Sequence, residues 1–218
     1  MTRPVNGQDR AQADAGSLSD PELLAILLQR GVAGGTAVRV ASALLRQFGG
    51  LRQVLNADPA ALKAVRGVGN GRLALLGTVR EIARRYFEAT LPVGAVIRSP
   101  ADTETFLLAR LRDRPHELFC CLYLDNRHRV LRFEELFRGT IDGTSVYPRE
   151  VVKQALAANA AAVIIAHNHP SGVAEPSSAD ERSTTRIRAA RELVDIRLLD
   201  HLIIGDGIST SLASRGIL

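Results

Sequence analysis

The chain has 218 residues, 46% hydrophobic and 23% charged, an ordinary globular composition for one or two domains with a real core. No apolar run approaches the ~20 residues of a membrane span, and the opening MTRPVNGQDRAQADAG lacks the apolar stretch of a signal peptide. These features exclude a membrane protein and lead us to expect a cytoplasmic one. The net charge of +5 is uneven: residues 1–90 hold 12 Arg or Lys against 7 Asp or Glu, whereas residues 91–218 hold 16 of each. All the excess positive charge therefore sits in the first segment, the footprint of a phosphate-binding module attached to a neutral one.

That first segment reads as all helix. Residues 1–16 are polar, rich in small side chains and without period, and are expected to be disordered. Ser19-Asp20-Pro21-Glu22 opens a helix, with Ser19 as N-cap and Glu22 as its capping-box partner. A second helix is expected over 36–48, stopped by Gly49-Gly50, a third over 51–55, and a fourth from Asp58-Pro59 to about Val65. Arg66-Gly67-Val68-Gly69-Asn70-Gly71-Arg72 then precedes an amphipathic helix expected over 72–87. Helix, Gly-x-Gly turn, helix is the layout of a helix–hairpin–helix motif. Gly67 and Gly69 allow a tight turn whose N–H groups can hold a phosphate oxygen, with Arg66 and Arg72 adding charge. Such contacts would place residues 17–90 on the DNA backbone without reading sequence. The alternative is an αα-turn with glycine C-caps and no ligand. Leu91-Pro92-Val93-Gly94-Ala95 has the composition of a linker, so residues 91–98 are expected to separate two domains.

Residues 99–218 mix strands and helices. Ser99-Pro100-Ala101-Asp102 starts a helix to about Leu111, and residues 117–124 read as a buried strand. Asp125-Asn126-Arg127-His128 is a hairpin turn into a strand over 129–140, with Gly139 as a bulge. Pro148-Arg149-Glu150 opens a helix to about Ala158. The adjacent Cys120 and Cys121 point to opposite faces of their strand and read as buried structural thiols in a reducing compartment.

The most informative stretch follows. Ala161-Ala162-Val163-Ile164-Ile165 is a buried strand that runs into Ala166-His167-Asn168-His169-Pro170-Ser171-Gly172. Residues two apart on a strand face the same side, so His167 and His169 can present two imidazoles to one point. Ser177 or Ser178 caps an Arg-rich helix over 178–194, which puts Asp180 in its first turn. Two neutral nitrogens and one carboxylate, with a fourth position for water, form the ligand set of a catalytic Zn2+ site. A surface His pair and a dipole-favouring Asp180 are the competing reading. A strand over 196–204, a turn at Gly205-Asp206-Gly207 and a short strand over 208–212 close the chain. This order suggests an α/β sandwich with a largely antiparallel sheet.

His-x-His, seven residues, Ser, two residues, Asp resembles the JAMM (MPN-plus) metalloprotease motif residue for residue. With PRE, HNHPSG and LLDHLIIGDG, residues 99–218 resemble the RadC (UPF0758) family in particular. LSDPELLAILLQRG through VRGVGNGRLALLGTVREIARRY resembles the helical N-terminal domain of the same family. The resemblance implies an α+β protein: an all-α helix–hairpin–helix-like domain, then a cytidine-deaminase-like α/β sandwich. It implies a zinc-dependent hydrolase of a peptide or isopeptide bond in a protein substrate, under a traditional DNA-repair label. It also implies that the hydroxyl of Ser177 supports bound water or the oxyanion, and that a glutamate handles the proton. Glu150 is the favoured glutamate, ahead of Glu134 and Glu135. His201 reads as a core or second-layer histidine rather than a ligand, and His116 and His128 as solvated. Tyr147 departs from the histidine frequent in the family at that position. A DNA-binding adaptor with a structural metal, and a metal-dependent nuclease, are the rival classes.

Overall fold

A computed structural model of the chain describes residues 15–29, 34–89, 91–139 and 146–218. Most of the N-terminal stretch expected to be disordered lies outside these, apart from the start of a short 3-10 turn, Ala15–Ser17. Two compact units result, Met1–Ala83 and Arg84–Leu218.

The first unit contains α1 (Asp20–Leu28), α2 (Gly34–Phe48), α3 (Leu51–Asn56), α4 (Pro59–Ala64) and most of α5 (Asn70–Glu88). Local chemistry sets the starts. The Glu22 carboxylate accepts hydrogen bonds from both the N–H and the hydroxyl of Ser19, and Asp58 accepts from the N–H groups of Ala60 and Ala61. Leu24, Leu28, Val40, Leu44, Val54, Leu62, Val65, Val68 and Leu76 supply the core. Of the two turn glycines, only Gly67 has a positive φ, +99°, and a Cβ there would meet Val40 Cγ2 at 2.6 Å. Gly67 is therefore demanded twice, by conformation and by space.

The second unit contains α6 (Pro100–Leu111), β1 (Leu118–Leu124), β2 (Val130–Arg138), α7 (Pro148–Ala157), β3 (Ala162–Asn168), α8 (Ser178–Glu192), β4 (Arg197–Ile204) and β5 (Ser209–Ser211). Its sheet has the order β2-β1-β3-β4-β5. All neighbours are antiparallel except β3 and β4, which the α8 crossover joins in parallel. Every residue of β1 and of β3 is buried, as central strands covered on both faces require. On one face Leu118, Cys120, Leu122, Ile164 and Leu202 pack with Phe106, Leu107 and Leu111 of α6. On the other, Phe119, Cys121, Tyr123, Val163 and Ile165 pack with Val151 and Ala155 of α7 and Ile187 of α8. Together the units make an α+β protein, helices first and then a covered mixed sheet.

Two expectations are corrected. The 91–98 stretch is part of the second unit rather than a free linker. Leu91 is 6% exposed within its core, and Gly94 and Ile97 donate to the carbonyls of Val130 and His128. Its Pro and Gly read as linker composition, but its spaced apolar residues had a surface to cover. The β2 register slips at Leu136 and again at Leu131, not at Gly139: Phe119 pairs with Phe137 while Cys120 pairs with Glu135, and Tyr123 pairs with Arg132 while Leu124 pairs with Val130. Gly139 lies beyond the strand and donates its N–H to the Glu117 carbonyl.

Candidate metal centre

β3 delivers the first histidine from the middle of the sheet. His167 is 1% exposed and pairs in register with Phe119 on one side and Ile203 on the other. The buried Asn168 ties down the end of the strand. Its Oδ1 accepts from the Leu118 N–H at 2.9 Å, and its Nδ2 donates to the His116 carbonyl at 3.1 Å. His169 still bonds the sheet, donating its N–H to the Ile204 carbonyl. The chain then turns at Gly172, whose φ of +82° favours glycine. This turn brings the Val173 carbonyl back to His169 Nδ1 at 2.8 Å. A carbonyl only accepts, so Nδ1 carries the hydrogen and Nε2 of His169 offers a lone pair.

α8 delivers the carboxylate. Ser177 is its N-cap, and the carboxylate of Asp180 accepts from the Ser177 N–H at 2.7 Å and hydroxyl at 2.6 Å, both through Oδ2. Oδ1 faces the imidazoles, 3.2 Å from His167 Nε2, while Oδ2 lies 3.6 Å from His169 Nε2. The two Nε2 atoms are 3.0 Å apart. Burial opposes the ionisation of Asp180, but His167, His169 and Ser177 outweigh it and hold the carboxyl well below the usual carboxylate range. The contact with Asp180 raises His169 against its burial, and the negative charge of Glu117 adds to that rise.

This donor set fits a zinc ion. Four-coordinate zinc with ligands at ~2.0–2.1 Å separates neighbouring donors by about 3.3 Å, close to the distances found here. Two acceptor nitrogens in contact also repel unless a cation or a proton lies between them. Among the described residues, His167, His169 and Asp180 are the group of metal-ligating type that converges in this way. A four-coordinate ion held by these three donors would have one position left for water.

The other expected residues are placed as follows. The single hydroxyl hydrogen of Ser177 goes to Asp180, so Ser177 orients that carboxylate. Glu150, in the first turn of α7, is paired with Arg149 at 3.5 Å and Lys153 at 3.7 Å. Glu134 is held by Arg132 at 3.0 Å. Glu135 pairs with Arg114 and stands opposite Cys120, on the sheet face away from His167. His201 is 0% exposed and its Nε2 lies 2.8 Å from His167 Nδ1. Burial, followed by the neighbouring His167, pushes its pKa far down. Cys120 is a buried free thiol whose pKa burial raises to about 12, consistent with a structural role.

The residue that sequence reasoning missed is Glu117. Phe119 pairs with His167 in antiparallel register, so two residues back on one strand lies beside two residues on in the other. Continued past the strand ends, this register sets half-buried Glu117 toward His169, and the negative charge of Glu117 is the smallest of the causes that raise His169. In the sequence it appears only as the polar residue before an apolar run, and the signal needed was the pairing of β1 with β3.

In the helical unit, Arg66, Gly67 and Gly69 are exposed on the turn before α5. Arg72 is turned inward instead. Its Nε donates to the Leu28 carbonyl at 3.0 Å and its Nη1 to the Gly67 carbonyl at 2.5 Å. The phosphate-facing role expected of Arg72 is thereby corrected to a structural one, because the free carbonyls at the end of α1 and in the turn compete for its fork. Among the described residues no helix is long and apolar enough to cross a membrane.

Comparison with known proteins covers nearly the whole chain. Residues 97–217 match the family model described as RadC-like JAB domain, and residues 10–74 match UPF0758 N-terminal. A UPF0758 protein of Thioalkalivibrio sulfidiphilus is 59% identical over 204 residues, covering 94% of this chain and 91% of the relative. One of Nitrosococcus oceani is 58% identical over 218 residues, covering 99% and 97%. One of Halorhodospira halophila is 57% identical over 202 residues, covering 93% and 90%. With both of its units matched and the His–His–Asp cluster assembled in the second, the chain belongs to the RadC (UPF0758) family.

Proposed function

We propose that the chain is a zinc-dependent hydrolase of a peptide or isopeptide bond, working in the cytoplasm on a protein substrate. The observation that carries this reading is the convergence of His167 Nε2, His169 Nε2 and Asp180 Oδ1 at donor spacings suited to zinc, with a position left open. Zinc bound there supplies Lewis acidity and lowers the pKa of water to about 7. The residues of the chain do the rest. His167, His169 just past the end of the central strand, and Asp180 in the first turn of α8 would hold the ion, while Ser177 fixes the Asp180 carboxylate. Glu117, aligned with His169, takes a proton from water on its carboxylate and returns it to the leaving amine. We assign this step to Glu117 ahead of Glu150, whose carboxylate is engaged by Arg149 and Lys153. The test is a screen of peptides, isopeptide-linked conjugates and nucleic acids with zinc-loaded wild type and His167→Ala. Cleavage of an amide by wild type alone supports the reading. Cleavage of nucleic acid alone, or turnover that survives His167→Ala, overturns it.

A second activity is supported by the charge of the first ninety residues and by the exposed Arg66-Gly67 turn. In this reading the helical unit docks on DNA phosphates without reading sequence. Binding to duplex DNA should weaken steeply as salt rises, and salt-independent binding would count against it.

A further inference from the structure

We infer that Thr184 and His201 are positioning residues for the metal centre. A chain of hydrogen bonds that starts at the backbone carbonyl of Asp180 holds His167 in the tautomer whose Nε2 is free for a metal ion. The inference rests on reading the cluster as a metal site, and it deepens that reading.

The direction of each bond follows from what its atoms can do. Thr184 Oγ1 lies 2.6 Å from the Asp180 carbonyl oxygen, which only accepts, so the hydroxyl hydrogen points there. The hydroxyl then has only lone pairs to offer His201 Nδ1, 2.5 Å away, so that nitrogen must be an N–H donor. His201 is 0% exposed, where a charged imidazolium would carry a large desolvation cost. A neutral ring has one N–H, which leaves His201 Nε2 as an acceptor. Its partner at 2.8 Å is His167 Nδ1, which must therefore donate. His167 Nε2 is left with a lone pair directed at the Asp180 carboxylate and His169.

The chain joins three elements through buried groups, Thr184 on α8, His201 on β4 and His167 on β3, with Thr184 itself 1% exposed. It also begins and ends at one residue, since the Asp180 carbonyl orients Thr184 while its carboxylate faces the ring at the far end. The histidines thus differ: a loop carbonyl sets His169, whereas the packing of α8 against the sheet sets His167. Removing the hydroxyl deprives His201 Nδ1–H of its acceptor. The favourable response is a proton shift to Nε2, which turns His167 Nδ1 into an acceptor and blocks its Nε2.

The test combines nitrogen-detected NMR of the histidine rings in the full chain with zinc affinity from competition against a chromophoric chelator. In wild type we expect His167 Nδ1 protonated and His201 Nε2 bare, with and without zinc. Thr184→Val should weaken zinc binding by about tenfold to a hundredfold and move the His201 signals toward the other tautomer. Thr184→Ser should restore both. A proton on His201 Nε2 in wild type, or unchanged affinity and tautomer in Thr184→Val, overturns the inference. If Thr184→Val does not fold, the wild-type nitrogen shifts decide alone. They are read in the metal-free protein too, so the relay stands or falls whatever the substrate screen returns.

Discussion

The turn before α5 and the end of β3 each offer polar groups that sequence reasoning assigned to a ligand, but they use them in opposite ways. At the turn no hydrogen bond or ion pair among the described residues directs the exposed Arg66, and the partly buried Arg72 bonds Leu28 and Gly67. At the end of β3 the buried His167 and the half-buried His169 and Asp180 are directed toward one another, because an imidazole or carboxylate withdrawn from water without a partner is costly. Burial therefore constrains the His–His–Asp cluster, whereas exposure leaves the turn open to solvent. A buried polar cluster can be read for chemistry from geometry; an exposed basic turn can be read only for charge.

Mutations can break or sharpen this contrast. The largest effect is expected at His167→Ala, which should take zinc content from one equivalent to none by metal analysis of the purified protein. Full zinc retention would mean the cluster is not the metal site. Next, Glu117→Gln should keep the metal but lower kcat about a hundredfold to ten-thousandfold, while Glu150→Gln stays within about twofold. The reverse order in steady-state rates would restore Glu150 to the role. In the helical unit, Gly67→Ala forces a left-handed residue against Val40 and should destabilise that unit by about 1–3 kcal/mol in chemical denaturation. The smallest effect separates the two arginines. Arg66→Ala should lower the salt dependence of DNA binding by about one unit of slope with stability unchanged. Arg72→Ala should lower stability instead, through the loss of its carbonyl bonds. If both change only DNA binding, the contrast between inward and outward arginine fails.

Much of this protein was legible in one dimension, because the informative signals are local. Helix starts announce themselves in Ser19, Asp58 and Ser177, whose side chains act within three residues. The His-x-His pair follows from strand alternation, and the reach back of Asp180 from the short turn between β3 and α8. What stayed hidden depends on register between distant segments. Glu117 lies some fifty positions before His169, and only the pairing of Phe119 with His167 brings them level. The Thr184–His201–His167 chain likewise needs α8 laid across the parallel pair of β3 and β4 before its two rings and hydroxyl meet. Apolar content could not separate the 91–98 stretch from a linker, since whether Leu91 has a surface to cover is decided by the rest of the sheet. Sequence by itself determined which residues could bind a metal and where the helices begin, for those depend on side-chain chemistry and near neighbours. Tertiary structure alone decided which groups meet the His–His–Asp cluster and that His201 lies against His167, because both are set by contacts across strands.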